Sequence, residues 1–513
     1  MKEKIYGVFH RCIIGVFAAI VAVILALLIF LSNGWEYACK LSLALPNGIL
    51  VLIAIATAAL AVVVYVWKKG TVDRWFSLIP RRSILVLTGA LFAVQAWCFY
   101  NIFFETGWDA SMLVNTARSV VNGEQPNNLV YYSMYPNNLM LTWIFSTFFR
   151  ISEAIGFSSI VSELYFVVLI QSLLSCVSGY LLFNIARDLT KNPVFPYVVW
   201  FLFVMNIAMS PWLTITYSDA MVLCFPIAII RLYQLTFNGR WVCLKWCFIG
   251  GLSYFGYTIK PQVLIALIAV IIVDLIRLVL KLKGKERIQR TVQYACCVLS
   301  IIVVMLGVGI VVDTLPFDTD PDRAFGLTHF AMMGLNSETD GVYLEEDVQF
   351  SDSFDTPKER TQGNLRVIRE RLKEFGVGGY IKHLMKKSLV IYGDGTYAWG
   401  MEGSFYKIVP EPPNDTVAPF LRSFYYEEGS RYTNFVNFEQ YLWMVILIGC
   451  LGTAFCLGHR QIDAFMLVAI LSLIGLTLFQ LLFEARARYL FIYSPIFLLV
   501  SVWGCVIKST ERT

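Results

Sequence analysis

The sequence is poor in charge. Of its 513 residues 15% are Asp, Glu, Lys or Arg, 58% are hydrophobic, and only four are His. A chain of this length folded in water needs more polar surface, so length-based domain reasoning for soluble proteins does not apply. No Lys/Arg block long enough to hold nucleic acid is present, which excludes that partner despite a net charge of +5. The 12 cysteines lie in or beside apolar runs, as Cys98, Cys176, Cys224, Cys296 and Cys297 do, and none falls in the long polar stretch after Asp313. No disulfide framework or zinc spacing results. Cys243 and Cys247 share a helix face but have no His or carboxylate partner, so packing explains them. Internal repeats and low-complexity tracts are missing too.

What is present is a series of apolar runs, with a mean hydropathy of +0.65. Runs near 20 residues cross ~30 Å of hydrocarbon. In lipid they must be helical, because the backbone has to satisfy its own hydrogen bonds. The expected fold class is an all-α polytopic membrane protein of about 12 transmembrane helices, roughly 11 to 14 by that length rule. The spans fall at 13–31, 47–67, 84–104, 161–186, 194–210, 219–237, 246–258, 261–280, 293–313, 437–457, 462–483 and 488–507. The short apolar segment 139–150 reads as a helix at the interface. Lys2, Lys4 and Arg11 precede the run Ile13 to Leu31, which is too long for a signal core and lacks a small-x-small end. It reads as a retained first span.

With the N-terminus cytoplasmic, inner turns carry Lys68, Lys69, Arg74, Arg81 and Arg82; Arg187 and Lys191; Arg240 and Lys245; Lys281, Lys283, Lys285, Arg287 and Arg290; Arg460; and Lys508 and Arg512. The outer loop 32–46 carries only Lys40. This obeys the positive-inside rule and implies a multi-pass protein of the cell membrane. The expected organisation is 1–104 as three spans, 105–160 as a first outer loop with interfacial helices, 161–313 as a central core, 314–436 as an extracytoplasmic cap, and 437–513 as three closing spans. Within the cap, Lys358 to Phe375 reads as an amphipathic helix. Leu365, Ile368, Leu372 and Phe375 lie at helical spacing and Gly376 ends it. That face could meet the membrane or the cap's own core.

In this topology five polar clusters land at the outer boundary: Asp109; Tyr135-Pro136-Asn137-Asn138; Tyr217-Ser218-Asp219; Lys260-Pro261; and Glu484-Ala485-Arg486-Ala487-Arg488-Tyr489. Charged groups at helix ends around a shared cavity are functional candidates. Plainer roles exist: Asp109 and Asp219 suit helix caps, Lys260 a snorkelling anchor, the aromatics an interfacial belt. Two arginines on the side that topology disfavours, however, want an anion, and Arg binds phosphate bidentately. A lipid-linked phosphosugar would place its phosphate against Arg486, Arg488 and Lys260. Asp109 would then act as base on an acceptor hydroxyl, with Trp108, Tyr131, Tyr132 and Tyr135 stacking on sugar rings.

These residues resemble those of the C-type glycosyltransferases, more narrowly the branch of protein O-mannosyltransferases and lipid A aminoarabinose transferases. The first-loop catalytic Asp corresponds to Asp109, the aromatic-Pro-Pro-Leu stretch loosely to Tyr135-Pro136-Asn137-Asn138-Leu139, the Ser-Asp span start to Ser218-Asp219, and Arg-x-Arg-Tyr to Arg486-Ala487-Arg488-Tyr489. Thr328-His329-Phe330, Met333-Gly334-Leu335-Asn336, Gly341-Val342-Tyr343 and Trp399-Gly400-Met401-Glu402-Gly403 look like Gram-positive members that decorate cell-wall polysaccharide from undecaprenyl phosphate. The resemblance implies a polyprenyl-phosphate sugar donor, a glycan acceptor, an extracytoplasmic active site and inverting hexosyl transfer. Asp219, Glu484, Asn137, Asn138 and His329 would support the substrates. The mannosyltransferases carry an Asp-Glu pair, whereas here Ala110 follows Asp109 and the nearest Glu is Glu105. Two additional spans also precede the one leading to Asp109. No cofactor is required, although a divalent cation at Asp109, Asp219 or Glu484 stays open. So do two other functions: a flippase or transporter of lipid-linked sugars, and a polysaccharide polymerase or ligase using a diphosphate-linked donor.

Overall fold

A computed structural model describes residues 2–457 and 463–510. Arg460 and Arg512, counted above among inner charges, lie outside the described residues. Helix dominates. Among the described residues nine helices are long and apolar enough to cross a membrane, and Phe195–Ala208 is a shorter apolar one. Each expected span carries helix: Lys2–Phe30, Asn47–Ser77, Ser83–Ile102, Ile160–Leu189, Gly284–Val312, Tyr432–Leu457 and Ala464–Leu482 are continuous. The expected span 246–258 lies within the 19-residue helix Trp241–Ile259.

The stretch 194–237 is broken rather than continuous, and its composition explains why. Phe195–Phe203 runs into a π-turn at Val204–Ala208, then Pro211 opens a 3-10 turn to Thr214, and helix resumes at Ser218–Met221 and Cys224–Gln234. A broken helix frees backbone groups that lipid cannot satisfy. Buried amides do so: Gln95 Nε2 donates to Ala208 O at 2.6 Å and Gln171 Nε2 to Leu213 O at 2.8 Å. In the π-turn, Asn206 donates to Glu439 Oε2 at 2.8 Å and accepts from Tyr397 OH at 2.8 Å. Mid-bundle polar residues here are therefore joints of the fold.

The first outer loop folds as helices Trp108–Asn122, Leu129–Met134 and Leu139–Ala154. The cap segment contributes Leu327–Met333, Glu345–Asp352, Pro357–Tyr392 and Val417–Tyr425. The two loops are tied by a two-stranded antiparallel ribbon pairing Glu105 with Ile408 and Thr106 with Tyr406. Lys407 strengthens it, reaching Glu105 Oε1 at 2.8 Å and Ser111 Oγ at 2.7 Å. Gly376 adopts φ 55° inside Pro357–Tyr392, so it ends one helix as expected and a second begins immediately. Leu365 and Leu372 of the first half remain exposed. The face packed into the cap is instead Arg360, Gly363 and Asn364.

Candidate functional site

Asp109 lies in the first turn of Trp108–Asn122, beside Trp108 at φ 46°. A bulky residue in the left-handed region is strained and persists only where its surroundings hold it. Arg488 does so: its Cζ lies 4.6 Å from the Trp108 ring centroid and 5.4 Å from that of Tyr217. Tyr217 OH donates to Asp109 Oδ2 at 3.4 Å. Asp109 does not cap its helix; Gly107 occupies that position and no side-chain cap forms.

From Arg488 the contacts run on without a gap. Arg488 Nε is 3.0 Å from Glu402 Oε2, and Arg486 Nη1 is 2.8 Å from the same oxygen. Arg486 Nε donates to Glu484 Oε1 at 2.7 Å, and Tyr489 OH to Glu484 Oε2 at 2.8 Å. Lys260 Nζ lies 4.6 Å from the Tyr489 ring and 2.6 Å from Asp219 Oδ1. Lys260 is thus a buried partner rather than a snorkelling anchor, and Asp219, with no capping bond, is its counter-ion. Asp109, Asp219, Lys260, Glu484, Arg486 and Arg488, distant in sequence, form one charged cluster at one end of the bundle. Several buried polar atoms in it or near it lack a well-aligned hydrogen bond, among them both Asp219 oxygens, Gln262 Oε1, Gln480 Nε2 and Trp108 Nε1.

The electrostatics follow from crowding. Burial raises the pKa of Asp109 above the usual carboxylate range, against the pull of Arg488 and Arg486. Burial also lowers the pKa of Lys260, opposed chiefly by Asp219. At Glu484 burial works against the charge, yet Arg486 outweighs it and the pKa falls.

Glu402 was not singled out as a site residue, yet it joins both arginines. Its position is made by Asp394, whose buried carboxylate accepts from Thr396 N at 2.7 Å, Thr396 Oγ1 at 2.6 Å and Ala398 N at 3.0 Å. Burial pushes Asp394 up to about 6, with those hydrogen bonds opposing. The turn it organises forces Tyr397 and Ala398 to φ 59° and 60°, and Trp399 Nε1 anchors it on Tyr425 O at 2.7 Å. Helix-like backbone then delivers Glu402. The only sequence signal was a carboxylate amid Trp and Gly in an outer segment.

The remaining expected residues line the flank. Asn138 Nδ2 donates to Tyr131 OH at 2.6 Å, Tyr135 packs 5.2 Å from Tyr131, and Asn137 is exposed. His329 is enclosed in the cap core, with Nδ1 2.7 Å from Ser351 Oγ and its ring stacked on Phe325 at 4.2 Å. Burial lowers its pKa to about 4, which keeps it neutral. It supports the cap from inside, and among the described residues its hydrogen bond and ring contacts are with Ser351, Phe325 and Phe330. Among the described residues, no group of three His, Cys, Asp or Glu is arranged to hold a metal ion.

Among solved structures, the chain is similar to ArnT from Cupriavidus metallidurans bound to undecaprenyl phosphate, at 11% identity and a TM-score of 0.33, covering 84% of this chain and 79% of that one. A likeness that slight carries no argument about ligands. No curated protein matches the chain. A family model described as conserved hypothetical integral membrane protein matches residues 5–506, nearly the whole chain, and the protein belongs to that family.

Proposed function

We infer that the protein is a glycosyltransferase that moves a sugar from a polyprenyl-phosphate donor, undecaprenyl phosphate in its bacterial form, to a cell-envelope glycan on the outer membrane face. The observation that carries this reading is the placement of Arg488 against Trp108 and Tyr217, beside Asp109. A carboxylate suited to act as base and a fixed cation thus stand side by side at one end of the bundle. The terminal nitrogens of Arg488 form no hydrogen bond among the described residues, and a guanidinium fork suits a phosphate.

In this reading Asp109 takes the proton of an acceptor hydroxyl. The hydroxyl oxygen bonds to the anomeric carbon as the bond from that carbon to the phosphate oxygen breaks, and polyprenyl phosphate leaves with the electron pair. Attack from the side opposite the phosphate inverts the anomeric centre. A raised pKa on Asp109 brings the base nearer the working pH, where proton transfer is most effective. Arg488 and Arg486, with Lys260 behind them, stabilise the charge that collects on the leaving phosphate. Glu402 and Glu484 hold the guanidinia in place and keep a buried, otherwise uncompensated cation pair stable until donor arrives.

The test is transfer in proteoliposomes with mono- and diphosphate-linked polyprenyl sugars compared. Transfer from the monophosphate donor alone is expected. Transfer from the diphosphate donor alone would move the assignment to a polymerase or ligase, and transbilayer movement of either donor without transfer to a flippase.

A further inference from the structure

The cap helix 357–375 carries a pattern its own packing uses only in part: Phe375 stacks on His383 at 4.7 Å, and Ile368 is half-buried. At about 100° per residue, Leu365, Ile368, Leu372 and Phe375 fall within about 80° of one another. Lys358, Arg369, Lys373 and Arg366 occupy the adjoining arc of about 80°. The face turned into the cap adjoins the Phe375 edge of this stripe, away from the basic row, and is polar: Arg360 Nε donates to Ser351 O at 2.9 Å, Asn364 Oδ1 accepts from Ser351 Oγ at 3.1 Å, and Arg371 Nη1 donates to Met332 O at 2.7 Å. Leu365 is 36% and Leu372 39% exposed, and beyond the Gly376 bend Val377 is 82% and Ile381 53% exposed. The four flanking cations are exposed as well, and among the described residues only Arg366 pairs with a carboxylate, Glu370 at 4.0 Å.

Both ends of this helix are tied close to where spans end. At one end Arg360 Nη1 donates to Asp322 O at 2.8 Å and Ala324 O at 3.3 Å. That stretch lies about 10 residues past the span ending at Val312, with Phe317 between them packed 5.4 Å from Tyr132. At the other end, Lys382 Nζ sits 5.8 Å from the Trp35 ring, and Trp35 N bonds Leu31 O, one residue past the first span. Gly376 precedes Lys382 by six residues, about 9 Å of helix, comparable to a headgroup layer of roughly 5–8 Å on each side of the hydrocarbon. The Gly376 end of the helix therefore lies near the level at which the first span ends. An apolar stripe bordered by a basic row at that depth is the pattern of a helix lying in an anionic lipid surface.

We propose that the face formed by Leu365, Ile368, Leu372, Lys358, Arg366, Arg369 and Lys373 docks on the bilayer, with the apolar residues among acyl chains and the cations on anionic lipid phosphates. The cap is thereby held down over the charged cluster. This holds whatever reaction the cluster performs.

The test places a spin label through a genetically encoded keto amino acid, which leaves the cysteines untouched, at Leu372 or at Glu374 on the opposite side. The full chain is studied in nanodiscs of phosphatidylcholine with or without phosphatidylglycerol. The label at 372 is expected to favour oxygen over a water-soluble nickel complex several-fold more than the label at 374. Phosphatidylglycerol is expected to deepen it, and the combined change of Lys358, Arg366, Arg369 and Lys373 to Gln to abolish that deepening. Equal nickel accessibility at both positions in every lipid would put the face in water and overturn the proposal. Spin–spin broadening between two copies in one disc would give the face to a second copy and overturn it equally.

Discussion

Glu402→Gln separates a structural ion network from a poised phosphate site. Glu402 Oε2 is shared by Arg486 at 2.8 Å and Arg488 at 3.0 Å. Each charge-assisted contact is worth about 1.5–3 kcal/mol, and removing one partner of a buried pair costs about 3–5 kcal/mol because the other charge stays behind. Without donor, the variant should melt several degrees below wild type. With donor the sign reverses. In wild type the incoming phosphate shares the arginines with Glu402, and in the variant it is their main counter-ion. Relief of even one such contact, about 1.5 kcal/mol, tightens binding of polyprenyl phosphate roughly tenfold. Thermal shift and equilibrium binding in detergent read both effects. A variant that loses stability but binds polyprenyl phosphate no more tightly would refute a phosphate site at Arg486 and Arg488.

Further outcomes concern the seam between cap and bundle. Lys387 is fully buried and donates to Gly334 O at 2.8 Å, Leu481 O at 3.0 Å and Phe483 O at 2.6 Å, and burial pushes its pKa down to about 7. The unfolded chain, near pKa 10.4, binds more protons across that interval, so stability should rise from pH about 7 to about 10. Melting curves of Lys387→Met should lack this slope, and an unchanged slope would contradict the assignment. A Cβ on Gly334 would meet Phe483 O at 2.5 Å and Phe483 C at 2.6 Å, both backbone. Gly334→Ala should cost about 1–3 kcal/mol and shift the loop bearing Glu484 and Arg486, weakening donor binding as well as lowering the melting temperature.

Hydrophobic run length located the membrane helices because lipid leaves the backbone no alternative to internal hydrogen bonds. Topology then brought Asp109, Asp219, Lys260, Glu484, Arg486 and Arg488 to one level, and the structure joins them in a continuous chain of contacts. Pairing was not legible. Lys260 with Asp219, and both arginines with Glu402, depend on turns such as the one built by Asp394, whose backbone strain has no sequence period. The amphipathic helix shows the same limit from another side. Periodicity identified the stripe through Leu365 and Leu372 but not its direction, since the cap chose the polar face of Arg360 and Asn364. The break at Gly376 was legible because a residue at positive φ is most easily glycine.

The central claim is that Asp109 is the base. Asp109→Asn keeps the size and the contact with Tyr217 but cannot accept the proton. Sugar transfer from a polyprenyl-phosphate donor, measured in proteoliposomes alongside donor affinity and melting temperature, should fall about 10²–10⁴-fold with the other two quantities nearly unchanged. Undiminished transfer by that variant would contradict the account.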